Sequence, residues 1–198
     1  MNIAENAEEE PRIRLCDRAT IYAKACSAVL VVAMVMQITA QASSYWAAGY
    51  ANGAMIWHEG LWHNCFLRRD RWLCGAYVAN HHADRIPGWV KACQALSVIG
   101  LLMAFPAFYI VQLYAMVPRL GNKRIAYIVS TGLSLFAGLF TLLGPIIFAA
   151  SYPTLPSFTN QNVRYHWSFG LEIIAALSCF VSVGLQITEM YKSMLLFH

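Results

Sequence analysis

Four stretches of this chain are almost free of charge. No Asp, Glu, Lys or Arg occurs between Lys24 and Glu59, between Lys91 and Arg119, or between Arg124 and Arg164. The run from Trp167 to Met190 carries only Glu172 and Glu189. A helix rises about 1.5 Å per residue, so roughly 20 apolar residues cross a hydrocarbon core about 30 Å thick. The pattern predicts four transmembrane helices at about residues 25–43, 90–117, 125–151 and 167–191 of one domain spanning 25–191. Around them lie an N-terminal segment (1–24), outer loops at about 44–89 and 152–166, and a short tail (192–198). The polar segment ahead of the first span contains Glu8–Glu10, and the span exceeds a signal-peptide core, so it reads as a retained helix.

Within the long loop the pattern changes period. Trp46 to Trp57 alternates aromatic and small residues around Asn52-Gly53, a strong hairpin signal. Trp72 to Asn80 is a second candidate strand, with Trp72 and Cys74 on one face and a bulge expected at Gly75. A small sheet standing on four helices follows. Pro153 and Pro156 are expected to end the third helix, because proline cannot donate to the helical ladder. Gly132, Gly138 and Gly144 recur every six residues, so each faces a different direction and they form no single GxxxG seam.

Composition agrees with a lipid setting. Charged residues make up 12% and hydrophobic ones 59%, against about 25% and 45–50% in soluble domains. The net charge of +4 is spread over both sides and implies no nucleic-acid partner. Pro118 to Arg124 is a short connection with three basic residues and no acid. By the positive-inside rule this places it, and both termini, in the cytoplasm.

That topology leaves Cys65 and Cys74 as the cysteines in the oxidising outer compartment, where a disulfide is the natural outcome. The alternative is a zinc site drawn from His58, His63, Cys65, Cys74, His81 and His82, although the spacing matches no compact zinc pattern. Thiol redox chemistry is a weaker alternative, because no CxxC pair occurs. Phosphate-loop, HExxH and nucleophile-elbow motifs are likewise missing from the sequence. The expectation is therefore a non-enzymatic protein with no cofactor, no metal and no small-molecule substrate. Glu172, inside the fourth span, is either a bundle-facing partner of Lys91, a charge that contacts a partner protein, or a carboxylate reached by interfacial water. Cys16 and Cys26 flank the inner end of the first span and are candidates for S-palmitoylation, free thiols being the alternative.

Trp46, then Gly60-Leu61-Trp62, Cys65 and a second cysteine at Cys74, in the first loop of a four-span chain, resembles the signature of the claudin superfamily. That superfamily includes claudins, peripheral myelin and epithelial membrane proteins, lens intrinsic proteins and channel auxiliary subunits. The resemblance implies a left-handed four-transmembrane-helix bundle with a small extracellular antiparallel β-sheet, tied by Cys65–Cys74. It implies that Trp46, Leu61 and Trp62 pack where the sheet meets the membrane. Gln94 stands where claudins usually carry an arginine, and the chain ends MLLFH without a terminal Tyr-Val type ligand for scaffold proteins. The implied roles are adhesion or paracellular barrier formation at the plasma membrane, or service as an auxiliary subunit of a channel or receptor. Partners are then membrane lipid and either further copies of the chain or a channel complex, with Arg68, Arg69, Arg71 and Glu172 as candidate contacts.

Overall fold

A computed structural model describes residues 20–76, 86–116, 123–152 and 162–195 of the chain. In chain order the elements are α1 (Ile21–Ala42), β1 (Ala47–Ala51), β2 (Ala54–Glu59), β3 (His63–Arg68), β4 (Arg71–Ala76), α2 (Gly88–Met116), α3 (Lys123–Ser151), β5 (Asn162–Tyr165) and α4 (Trp167–Leu195). All four helices are long and apolar enough to cross a membrane. The helix α1 starts earlier than the charge pattern suggests because the side chain of Thr20 caps it, accepting from the Ala23 amide at 3.2 Å, while Lys24 remains exposed. The 29 residues each of α2, α3 and α4 give lengths of roughly 43 Å, so they tilt in or extend beyond the hydrocarbon layer.

The bundle is built inside out relative to a soluble protein. Its interior is lined by small and polar side chains, among them Ala23, Ala33, Ala40, Ser97, Ala104, Ala107, Ser130, Ser134, Ala137, Thr141, Ala175, Ala176 and Ser182. Large aliphatic and aromatic residues such as Val35, Leu102, Phe105, Phe136 and Leu177 face outward. Lipid tails are as apolar as leucine, so burying leucine between helices gains little, whereas small residues let backbones approach and polar ones bond across. The helix α2 packs most extensively on α3 and α1 on α4, with α3 against α4 and a looser seam between α1 and α2. Two of the three α3 glycines serve separate approaches: a Cβ on Gly138 would meet Phe180 of α4 and one on Gly144 would meet Ser97 of α2, both at 2.9 Å, while one on Gly132 would meet nothing within 4 Å.

The five strands form one antiparallel sheet in the order β4-β3-β2-β1-β5. The first hairpin turns at Asn52 and Gly53, with φ of 51° and 81°, which is the positive-φ pair that such two-residue turns require. One expectation needs correcting. The bulge lies between Gly49 and Tyr50, not at Gly75, which pairs regularly with Asn64. Its cause is a contact between strands, since a Cβ on Gly49 would collide with the Trp57 indole of β2. The second strand of the loop ends its described part at Ala76, and residues 77–80 of the expected strand lie outside the described residues. The loop also holds β3, and the second outer loop holds β5, neither of which the alternation pattern announces. Pro153, Pro156, Cys16, His81 and His82 lie outside the described residues.

Candidate functional site

The sheet is fastened to the bundle at one place, and the signature residues make the joint. Trp46 sits between the end of α1 and the start of β1 and is fully buried. Its indole Nε1 donates to the Ala40 carbonyl at 2.7 Å. That carbonyl belongs to the last turn of α1 and has no helical donor of its own. The Trp46 ring meets Phe148 of α3 edge-on at 5.3 Å and Phe169 of α4 at 6.1 Å. Its backbone accepts from the His166 amide and donates to the Glu59 carbonyl, each at 2.9 Å. One residue thus ties α1, β2, α3 and α4 together.

Gly60 and Leu61 form the other half. A Cβ on Gly60 would strike the Ser43 carbonyl and stand 2.8 Å from the Ser44 Cα, so only glycine lets the loop after β2 pass this close to the end of α1. Leu61 is fully buried in a cluster with Trp46, Ala47, Trp57, Cys93, Phe148 and Tyr152. Its carbonyl accepts from Gln94 Nε2 of α2 at 2.6 Å. Gln94, set apart in the sequence only by what it replaces, therefore supplies the α2 arm of the joint. Trp62 turns outward and is partly exposed. Ser43 completes the seam, accepting from the Tyr45 amide at 3.2 Å and from the Ser168 hydroxyl at 2.8 Å.

Farther from the bundle, Cys65 of β3 and Cys74 of β4 are paired directly across the ladder and joined as a disulfide. His58 lies close enough that its ring and both sulfurs fall within 4.8 Å of one another. The sulfurs are bonded to each other, and His58 Nδ1 bonds the Ser44 carbonyl at 3.0 Å while its ring stacks on Tyr45 at 4.1 Å. The trio is a staple against a packed imidazole. His63 is exposed at the start of β3.

The β3–β4 hairpin projects from the sheet and ends in Arg69 and Asp70, both at positive φ (49° and 62°). Arg68, Arg69 and Arg71 with Leu73 border an open hollow at its tip. Phe66 pairs with Leu73 and Leu67 with Trp72, so large apolar residues stand on both faces. All four are exposed, Trp72 by 44% and Leu73 by 54%. Among the described residues, β4 pairs with β3 alone and offers its outer edge.

Of the readings open for Glu172, the structure bears out the bundle-facing position and not the pairing: the residue is fully buried in the bundle, while Lys91 is exposed and the two do not pair. The inward face of α4 is its small and polar face, which is where a carboxylate finds polar neighbours. Cys26, a candidate for acylation, is fully buried with its Sγ 3.2 Å from Ser182 Oγ. Gln37, Gln41, Ser97 and Thr141, which sequence reasoning does not single out, are joined inside the bundle, both glutamines donating to the Ser97 carbonyl and Gln37 also to Thr141 Oγ1. The signal was present, because Gln37 and Gln41 lie one helical turn apart within an apolar run.

Four apolar spans, a five-stranded sheet seated on them and a cross-strand disulfide define a four-span membrane protein. The chain belongs to the PMP-22/EMP/MP20/Claudin family, whose model matches residues 21–185. No curated protein matches it at a significant level.

Proposed function

We propose that this protein is a non-enzymatic adhesion or barrier protein of the plasma membrane. In this reading the sheet faces outside the cell, both termini are cytoplasmic, and the β3–β4 hairpin docks on a second copy. The observation that carries it is the hairpin itself. A strand edge with unpaired backbone groups, flanked by exposed Phe66, Leu67, Trp72 and Leu73, is a template for association. Exposed aromatic and arginine side chains are the types enriched where protein surfaces meet. The Cys65–Cys74 bond supports an oxidising outer location for the sheet, and the basic 118–124 connection supports a cytoplasmic opposite side.

An auxiliary-subunit role has one observation in its favour. At the end away from the sheet, the loose α1–α2 seam leaves a groove of about 520 Å³ lined by Ala23, Ser27, Ala28 and Ala115 among others, small residues of the kind that admit a foreign helix. Expression in cells that lack junctions separates the two. Under the adhesion reading the protein concentrates at borders between two expressing cells, and charge reversal of Arg68, Arg69 and Arg71 to Glu abolishes this at unchanged surface amount. Even surface distribution together with stoichiometric recovery of a channel would favour the auxiliary role instead.

A further inference from the structure

We propose that the bundle interior, just beneath the sheet, binds one monovalent cation of sodium size, with Glu172 as its charged ligand. Glu172 lies five residues after Trp167, the first residue of α4, roughly 7–8 Å along the helix. It is 0% exposed, its polar neighbours are Ser97 and Gln37, and neither carboxylate oxygen makes a hydrogen bond of good geometry with them. The hydroxyl of Ser97 on α2, also 0% exposed, is unpartnered too. Gln37 of α1 donates to the Ser97 carbonyl at 3.1 Å and to Thr141 Oγ1 of α3 at 2.7 Å, and Gln41 donates to the same Ser97 carbonyl at 3.0 Å. All four helices thus send a polar side chain into one layer.

Helices α2 and α3 are held close there by two glycines. A Cβ on Gly144 would stand 2.9 Å from Ser97 Oγ, and one on Gly100 would run into Thr141 Oγ1. Above the layer, Cys93 joins the Trp46–Leu61–Phe148–Tyr152 cluster that floors the sheet. An ionised carboxylate without a counter-charge is costly at this depth, and Lys91 is exposed and does not pair with it. The Ser97 carbonyl and Thr141 Oγ1 are taken by the glutamine amides, which leaves the Glu172 carboxylate and the Ser97 hydroxyl as the free oxygens of the layer, and a hard cation suits oxygen donors. One carboxylate balances one positive charge, whereas a divalent ion would leave a charge uncompensated. Occupancy would draw the sheet ends of all four helices together.

The test is thermal unfolding of the purified full chain in lipid nanodiscs, read by tryptophan fluorescence, as sodium chloride replaces choline chloride at constant ionic strength and neutral pH. Wild type is expected to gain about 3–6 °C in Tm when sodium reaches ten times its dissociation constant. Glu172→Gln should lose this response, and Ser97→Ala should need severalfold more sodium to reach half of it. Should Glu172→Gln fail to fold, the wild-type response and the Ser97→Ala midpoint carry the test. A wild-type Tm that is the same in both salts overturns the proposal and leaves Glu172 as a neutral carboxyl satisfied by Ser97. Equal gains in wild type and Glu172→Gln overturn it as well, because they mark a general salt effect.

Discussion

Replacing Trp46 with phenylalanine deletes the indole N–H while keeping an aromatic ring in the joint between sheet and bundle. The Ala40 carbonyl then loses its 2.7 Å donor. It lies in the last turn of α1, so no helical amide replaces that donor, and the buried surroundings keep water out. Stranding a buried acceptor costs about 1–3 kcal/mol. Trp46→Ala removes the hydrogen bond together with the contacts to Phe148 and Phe169, and deleting a buried aromatic costs about 3–5 kcal/mol. For a chain of this size each kcal/mol moves Tm by about 2–4 °C. Thermal unfolding in nanodiscs should therefore place Trp46→Phe about 2–12 °C below wild type and Trp46→Ala about 6–20 °C below it. Hydrogen exchange should show the His166 amide, which bonds the Trp46 carbonyl at 2.9 Å, losing protection in the same order. A Trp46→Phe protein as stable as wild type would refute the role given to the indole N–H. A Trp46→Ala protein as stable as wild type would refute the joint altogether.

Gly60→Val should abolish delivery to the cell surface because its side chain meets the Ser43 backbone, while Gly88→Ala, with no atom within 4 Å of the added carbon, should leave surface staining unchanged. Gln94→Ala should lower stability by about 1–2 kcal/mol by stranding the Leu61 carbonyl; Gln94→Arg, which keeps a donor, should recover most of that loss in the same melting assay. The Cys65→Ser/Cys74→Ser double variant should be destabilised by about 2.7 kcal/mol, the chain-entropy value for a ten-residue loop. Reductant should destabilise wild type similarly and leave the double variant unaffected.

The spans were legible because the charge gaps are long and a membrane helix must be apolar throughout its lipid-facing length. The Asn52-Gly53 hairpin was legible because its turn needs two positive-φ residues and few sequences supply them. The strand β3, HNCFLR, was not: Asn64 and Cys65 are buried side by side and Phe66 to Arg68 are all exposed, so it has no inside–outside alternation to detect. Strand β5 is only four residues long and exists through pairing with β1. The bulge went to Gly49 because the Trp57 ring packs there, a contact between strands that no local pattern encodes. Glu172 and Cys26 both turn inward, and of the readings the sequence left open for Glu172 the bundle-facing one fits, because a helix bundle in lipid has an interior more polar than its surface. A charge or thiol in an apolar run is then drawn inward, the reverse of the soluble rule.

Copies of this protein are proposed to meet through the β3–β4 hairpin. Cross-linking tests it most directly. Leu73→Cys places a thiol on the exposed β4 edge, and Leu102→Cys places one on the exposed flank of α2. A short thiol-reactive cross-linker applied to contacting cells should capture a dimer of the Leu73→Cys protein and little of the Leu102→Cys protein, and the Arg68, Arg69 and Arg71 to Glu reversal should remove that dimer. Cross-linking at Leu102→Cys equal to or stronger than at Leu73→Cys would contradict the claim.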